Sequence, residues 1–571
     1  MTKNFSAWPE QWPRNLNYPD KPVHYFLKNT AQRVPDRIAI HFGGMVLTYG
    51  ELNTLADRFA TALAALGVEK GERMAIHLPN MPQFAIAYYA LLQIGAVFTP
   101  LSPLLSPREV THQLSDSGAK TLLSLDLLYP GIASIIPETK VERIITTSIG
   151  DCYNALIAPL KLLGKLPVPE TLDMVELIRN HTPNPPEVAI DVFTDLAHLA
   201  YTGGTTGVSK GVMLTHKNVA SNTLQFGCWF NGAQLKTVGE TVELVYPEGV
   251  DPVKDRLVAR DTETALVVVP WFHAMGTVGY LNNMVSGGTT MVVFPRFDPL
   301  EYATAIKKFG ATTLGGAPQL YVPLVNMPGF ENFDLSGIKL IASGAAPLPL
   351  SILESMQQAF KSSVVIEAYG LTECAMGAVC NPPIPGKTRP GSVGLPVFDT
   401  EIKITDAVTG EEMPPGLEGE ICIKGPQVMK GYWGRLDATA EVLKDGWLLT
   451  GDIGKFDDDG YLYITDRKKD LILYKGYNVY PREIEEILFT HPAVEMCGVV
   501  GKPDETAGEL PVAFVQLKSN RQATAEELMA FVNNKVGAYK KLREVVFTPL
   551  IPVSPAGKVL KRELREHLTG A

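Results

Sequence analysis

Along most of the chain, short runs of apolar and β-branched residues alternate with longer stretches whose apolar positions recur every three or four residues. Arg73 to His77, Lys120 to Ser124, Leu266 to Pro270, Thr289 to Phe294 and Ile338 to Ser343 read as strands. Tyr49 to Leu66 and Leu348 to Phe360 read as helices. Such alternation predicts an α/β fold of doubly wound, largely parallel sheets. From Gly391 the texture changes to short strands punctuated by Gly and Pro, among them Ile402 to Thr405, Gly419 to Lys424 and Tyr461 to Thr465, so residues 391–465 are expected to form a β-rich subdomain. The charged segment 466–470 reads as a hinge. Beyond it, helix patterns at Pro481 to Thr490 and Ala525 to Lys535 and strand patterns at Val494 to Gly501 and Val512 to Lys518 predict a small α+β domain over 471–571. The large N-terminal domain then spans 1–465.

The longest apolar stretch, Phe84 to Leu101, has the length of a membrane span, but Gln93, Gly95 and Pro100 interrupt it. A buried helix over Gln83 to Ile94 running into a strand accounts for it better, leaving only peripheral membrane contact open. Met1 to Tyr18 lacks an apolar h-region, so no secretory signal is expected.

Composition narrows the picture. The 571 residues are 46% hydrophobic and 20% charged, as in a folded globular protein, and 51 basic against 61 acidic side chains give a net charge of −10. Without a basic block, nucleic-acid binding lacks its electrostatic driving force. Six cysteines without a C-x-x-C pair point to reduced thiols and a cytoplasmic setting.

The chemistry concentrates first in Leu199-Ala-Tyr-Thr-Gly-Gly-Thr-Thr-Gly-Val-Ser-Lys-Gly211. An apolar strand runs into a loop where glycines admit close backbone approach, threonines donate hydrogen bonds and Lys210 adds charge, the make-up of a phosphate cradle. It is not a Walker A loop, because no Gly-Lys-Ser/Thr follows at the required spacing. Tyr369-Gly-Leu-Thr-Glu373 sets an aromatic ring, a hydroxyl and a carboxylate within five residues, a set suited to stacking a base and holding a metal-phosphate group.

Together with Pro270-Trp-Phe-His-Ala-Met-Gly276, Ser343-Gly-Ala-Ala-Pro347, Thr450-Gly-Asp452, Asp466-Arg-Lys-Lys469 and Pro555-Ala-Gly-Lys558, these segments resemble, in order, the motifs of the adenylate-forming (ANL) superfamily, in particular its acyl-CoA synthetases. The resemblance implies an ATP-dependent acid-thiol ligase that forms an acyl-adenylate and passes the acyl group to coenzyme A, with Mg²⁺ as cofactor. It places nucleotide and phosphate contacts at Thr202, Gly203, Gly204, Thr205, Thr206, Gly207 and Lys210, and at Gly344, Ala345, Ala346, Pro347, Glu367, Ala368, Tyr369, Gly370 and Thr372. Asp452 is implied to hold the ribose, with Ile464 and Arg467 alongside, and Glu373 with Thr206 to hold the metal. Lys558 is implied to bridge carboxylate and α-phosphate, with Thr202, Glu373 and His273 completing the catalytic set. Rotation about Lys469 is implied to replace Lys558 with Lys475, Gly476 and Tyr477, which border the pantetheine path.

By the same resemblance the acyl pocket takes in His273, Gly315, Gly316, Ala317, Gly344, Met376 and Gly377. Apart from His273 these residues are small or apolar, and with Ala345 and Ala375 they leave room for a hydrocarbon and offer no partner for a second charge. The expected substrate is a medium- or long-chain fatty acid or an alicyclic monocarboxylate. An aryl-CoA ligase, or an acyl-AMP ligase that loads a carrier protein, are the alternatives. His273 is open between gating the acyl tunnel, contacting the carboxylate and a buried structural role. Gly203 and Ser209 depart from the superfamily's usual Ser and Pro. The partners implied are a small-molecule carboxylate, ATP and coenzyme A, and the protein is expected as a monomer or homodimer.

Overall fold

The computed structural model describes residues 5–151, 168–202, 209–239, 241–251, 253, 255, 257–346, 348–406, 409–475, 477–504, 506–554 and 558–569. Its largest sheet has nine strands, with a parallel centre in the order Val364–Tyr369, Leu340–Ser343, Thr313–Gly316, Thr264–Val267, Thr290–Val293 and Ile38–Phe42, and antiparallel strands at both margins. A second sheet of eight strands centres on Arg73–His77, Val97–Pro100 and Leu196–Tyr201, also parallel. Strand-then-helix alternation covers both faces of each sheet with apolar helices, which is why these strands read as continuous hydrophobic runs. The fold is α/β and doubly wound, as the pattern predicts.

The apolar stretch after Met81 forms the helix Pro82–Gln93, buried along eleven of its residues, and then the strand Val97–Pro100. Pro82 opens the helix where its missing N–H costs nothing. Among the described residues no helix is long and apolar enough to cross a membrane.

Residues Glu401 to Arg467 form an antiparallel five-stranded sheet. Its last strand, Leu462–Arg467, reaches two residues into the segment expected as hinge, because Asp452 and Ile453 pair with Arg467 and Asp466. The C-terminal unit is a second five-stranded sheet built on the hairpin Val494–Asp504 and Gly508–Leu517, with Glu544–Phe547 added in parallel and the helices Pro481–Phe489 and Ala525–Asn533 packed on its core. Arg565 pairs with Asp470 at 2.8 Å and the Arg482 amide donates to Asp466 Oδ2 at 3.1 Å, so both ends of the connecting segment are tied to this unit.

Two features were invisible in the periodicity. Met275–Asn282 winds as a π-helix before tightening into the α-turn Asn283–Ser286, and Gln234–Val238 with Thr241–Val245 forms a separate hairpin. The N-terminal segment also acts as a strap. Trp8 and Trp12 pack edge-on against Trp229 with centroids 5.5 and 4.9 Å away, and Trp229 meets Phe398 at 5.4 Å. This cluster joins three segments distant in sequence around the helix His216–Asn231. Trp229 is fully buried, so Trp229→Ala is expected to cost about 3–5 kcal/mol, read as a lower urea midpoint of unfolding followed by circular dichroism.

Candidate active site

Parallel sheets open their binding crevices at the carboxyl ends of the strands. Here Gly316, Ser343 and Tyr369 end three neighbouring strands of one sheet and Tyr201 ends a strand of the other. Between them lies a cavity of about 1430 Å³. Residues from both sheets, the antiparallel subdomain and the C-terminal unit line it together.

The nucleotide-side residues converge there. Tyr369, Gly370, Thr372 and Glu373 enter from one sheet, Thr202 and Lys210 from the other, and Asp452 from the antiparallel subdomain. Gly344, Ala345 and Ala368 line the same wall. Ala345 holds a left-handed backbone (φ 68°), a strained conformation kept by its surroundings at the rim of the site. Thr202 N–H donates to Lys210 O at 3.1 Å, closing the base of the loop between them. Tyr201 at this base is held by Asp116, which it reaches at 2.8 Å and which Arg435 also engages at 2.8 Å. The expectations on Gly203, Gly204, Thr205, Thr206, Gly207, Pro347 and Gly476 fall outside the described residues.

Asp452 is 5% exposed and each of its oxygens has a partner. Tyr369 Oη donates to Oδ2 at 2.7 Å and Arg467 Nε lies 2.9 Å from Oδ1. Burial and the Asp452 charge hold the Tyr369 phenol protonated, well above its ordinary range. Glu373 Oε1 accepts from Tyr432 Oη at 2.8 Å, and Lys210 Nζ sits 5.0 Å from the centre of the same ring. Tyr432 had no signal near Glu373, from which it stands 59 positions away.

Lys558 comes from near the end of the C-terminal unit, and its side chain turns into the cavity. The amide of Lys558 donates to Ser554 Oγ at 3.1 Å, and Ser554 N–H donates back to Lys558 O at 2.7 Å, which fixes the turn. Burial pushes its ammonium down to about 8, and Arg467 pushes the same way, while Asp452 and Glu373 oppose them. His273 also faces the cavity. Burial, with Lys558 nearby, pushes its imidazole down to about 4. It is neutral at pH 7, and because its Nδ1 accepts the Met275 N–H at 3.3 Å, the ring proton resides on Nε2. His273 can therefore donate one hydrogen bond but cannot serve as a cation.

Lys469 lines the cavity beside Arg467. Lys475 does not: it is exposed, just after the strand Ile472–Tyr474, and the side chain of Tyr477 falls outside the described ones. The C-terminal unit thus presents the Lys558 side. Ala346, Glu367 and Ile464 also stand off the cavity. Glu367 is buried, and burial pushes its carboxyl up to about 7; Ile464 accepts from Arg482 Nη1 through its carbonyl.

The acyl side differs from expectation in its walls. His273, Gly344, Met376 and Gly377 line the cavity, whereas Gly315, Gly316 and Ala317 do not. The space over Gly315 is filled by Tyr280, whose hydroxyl would lie 1.6 Å from an added Cβ, and that over Gly316 by Leu320. At Gly377 the ring of Phe226 comes within 2.4 Å of the same position. At Gly315 and Gly316 the missing side chain admits a neighbouring side chain rather than ligand. The cavity also touches Arg260 and Glu263, so the reading that it offers no partner for a second charge does not hold. Neither residue belongs to the segments on which that reading relied.

Residues 27–433 match the family described as AMP-binding enzyme, and residues 483–558 its C-terminal domain. The chain belongs to the AMP-binding enzyme family. Within it, the chain is 38% identical over 575 residues to a long-chain-fatty-acid–CoA ligase of Bacillus subtilis (strain 168), covering 99% of this chain and 98% of the relative. A 4-coumarate–CoA ligase of Oryza sativa subsp. japonica is 32% identical over 575 residues, with 98% of each covered. Among solved structures, an anthranilate CoA ligase in complex with anthranoyl-AMP superposes with a TM-score of 0.84 at 25% identity, covering 98% of both chains.

Because Asp452 carries one of the negative charges that support the Lys558 ammonium, Asp452→Asn is expected to lower the Lys558 pKa further below about 8. Reductive ¹³C-methylation followed by NMR titration reads this directly, and an upward shift would refute the electrostatic reading.

Proposed function

We propose that the chain couples a medium- or long-chain fatty acid, or an alicyclic monocarboxylate, to coenzyme A at this cavity. It is an AMP-forming acid-thiol ligase, and it uses ATP. In the first half-reaction a carboxylate oxygen attacks the α-phosphorus and pyrophosphate leaves; in the second, the thiol of coenzyme A attacks the acyl carbon, loses its proton and expels AMP. The observation that carries the reading is the buried ammonium of Lys558, delivered by the C-terminal unit into the cavity that holds Asp452, Glu373 and Thr202.

Each group has a task its chemistry fits. Asp452, fixed between Tyr369 and Arg467, presents a carboxylate for the ribose hydroxyls. Tyr369 flanks the base. Lys558 stabilises the charge that accumulates as carboxylate meets phosphate, worth about 3 kcal/mol or more in a desolvated site. His273, neutral with its proton on Nε2, orients the carboxylate by donating to it.

Among the described residues no group of three or more His, Cys, Asp or Glu could hold a metal. The residues present do fit Mg²⁺ carried in by phosphate, since that ion needs few protein carboxylates. Glu373, together with Thr206, would hold it, and the ion would supply neutralisation of the phosphate charge.

The exposed position of Lys475, away from the cavity that Lys558 enters, supports rotation about Lys469 between the half-reactions. The five described cysteines are free and buried, which supports a reducing, cytoplasmic setting.

Pyrophosphate release with ATP, Mg²⁺ and a panel of aliphatic, alicyclic, aromatic and dicarboxylic acids, with and without coenzyme A, tests the proposal. Thioester formation dependent on coenzyme A is expected with the aliphatic acids; an aromatic optimum would replace the substrate class, and adenylate without thioester would replace the acceptor. Since kcat/KM reports the free enzyme and Lys558 must be protonated to act, adenylation measured as kcat/KM for ATP is expected to decline as pH rises through about 8, instead of near the ordinary lysine value of 10.5. Lys558→Ala is expected to cut adenylation by about 10²–10³-fold.

A further inference from the structure

Inward from His273 the cavity runs between two helices. Met275, Gly279, Asn283 and Gly287, each four residues after the last, line it from the helical run Met275 to Ser286 and its cap. Residues four apart share one face of a helix. Phe226 with Phe230, and Gly227 with Asn231, line it in the same way from the facing helix His216–Asn231. Asn283 Nδ2 donates to the Thr223 carbonyl at 3.0 Å and ties the two helices together. The wall continues to Thr289 and Thr313, at the amino-terminal ends of the strands Thr290–Val293 and Thr313–Gly316, opposite the ends that face the nucleotide.

Six glycines line the cavity among the described residues, and five of them are crowded. An added Cβ would meet Met376 Sδ at 2.6 Å on Gly279, Met275 Sδ at 3.2 Å on Gly344 and the Asn283 carbonyl oxygen at 3.3 Å on Gly287. On Gly370 and Gly377 it would overlap the Met376 carbonyl oxygen and the Phe226 ring. Gly227 is the exception. There the one atom within 4 Å is Asn283 Nδ2, at 3.5 Å, an ordinary van der Waals contact. Asn283 lines this cavity and not the small void on the far side of Gly227, so a side chain at Gly227 would project into the cavity. The backbone does not call for glycine at this position, because Gly227 lies inside a regular helix, where glycine is less favourable than alanine or leucine.

We propose that Gly227 is the residue that sets acyl-chain length: its missing side chain is the opening through which the hydrocarbon of a long acid passes from the reacting centre to the inner end of the cavity. Asn283, which faces it, lies eight residues along the helical run from Met275. At a rise of about 1.5 Å per residue, less in a π-helix, that distance is about 9–12 Å. Carbon–carbon bonds of about 1.5 Å at tetrahedral angles advance a chain about 1.25 Å per carbon, so an acid held at His273 draws level with Gly227 at about its eighth to eleventh carbon. Shorter acids end before this gate, and longer ones depend on it. The inference rests on the fatty-acid reading of the cavity.

The test measures kcat/KM of the full-length enzyme by AMP release with coenzyme A, over the even-numbered straight-chain acids from hexanoate to hexadecanoate. Burying one methylene is worth about fourfold, and a leucine side chain displaces about three, so Gly227→Leu is expected to lose about 60-fold on acids of about twelve carbons or more. On octanoate and hexanoate it is expected to stay within about twofold of the wild type, because those chains stop short of the new side chain. Gly227→Ala adds a single methyl to a helix and is expected to lose about fourfold on the long acids alone, which keeps the test open if the leucine variant does not fold. A loss equal at every chain length, or none at hexadecanoate, would overturn the assignment. So would a wild type that turns over octanoate but not hexadecanoate, since the space past Gly227 would then hold no chain. Turnover of none of these acids by the wild type would overturn the fatty-acid reading itself, and the assignment with it.

Discussion

A carboxylate buried where two domains meet has to find partners for both of its oxygens, and the partners that Asp452 finds organise the whole site. One is the phenol of Tyr369, at the carboxyl end of a strand in the nine-stranded sheet. The other is Arg467, at the end of the strand that leads out of the antiparallel subdomain. Removing either leaves a buried charge half-paired, the costly way to break such a set. The ammonium of Lys558 stands in the field of the same carboxylate. Parts of the nine-stranded sheet, the antiparallel subdomain and the C-terminal unit therefore meet at a single side chain.

Where residues lie next to their own chemistry, the sequence was easy to read. The strand runs at Arg73–His77 and Gly419–Lys424 form where the apolar pattern puts them, and the buried helix after Met81 follows its own hydrophobicity. Contacts made across long separations left no local trace. Tyr432 reaches Glu373, and Asp116 on the helix Pro107–Ser117 orients Tyr201, only because segments distant in sequence fold against one another. The π-helical turn at Met275–Asn282 has the same apolar texture as an ordinary helix and could not be told from one.

The acyl side shows a subtler limit. A glycine in sequence reads as vacant space, yet vacancy belongs to the neighbourhood and not to the residue. Tyr280 and Phe226 occupy what Gly315 and Gly377 leave open, and so the shape of the cavity is set by aromatic rings on the helices opposite the sheet. Charge is equally non-local: Arg260 and Glu263 reach the cavity from a connecting segment that carries no motif.

The aromatic strap has a consequence for how the molecule is made. Trp8 and Trp12 are synthesised well before Trp229, and Phe398, which completes their cluster, follows some 390 residues after Trp8. At about 5–20 residues per second, the early tryptophans wait on the order of 20–80 s for their last partner. During that interval the nascent chain carries indole surface that lacks its final cover, a natural landing place for a chaperone. The same strap that closes the finished domain is, during synthesis, a prolonged liability.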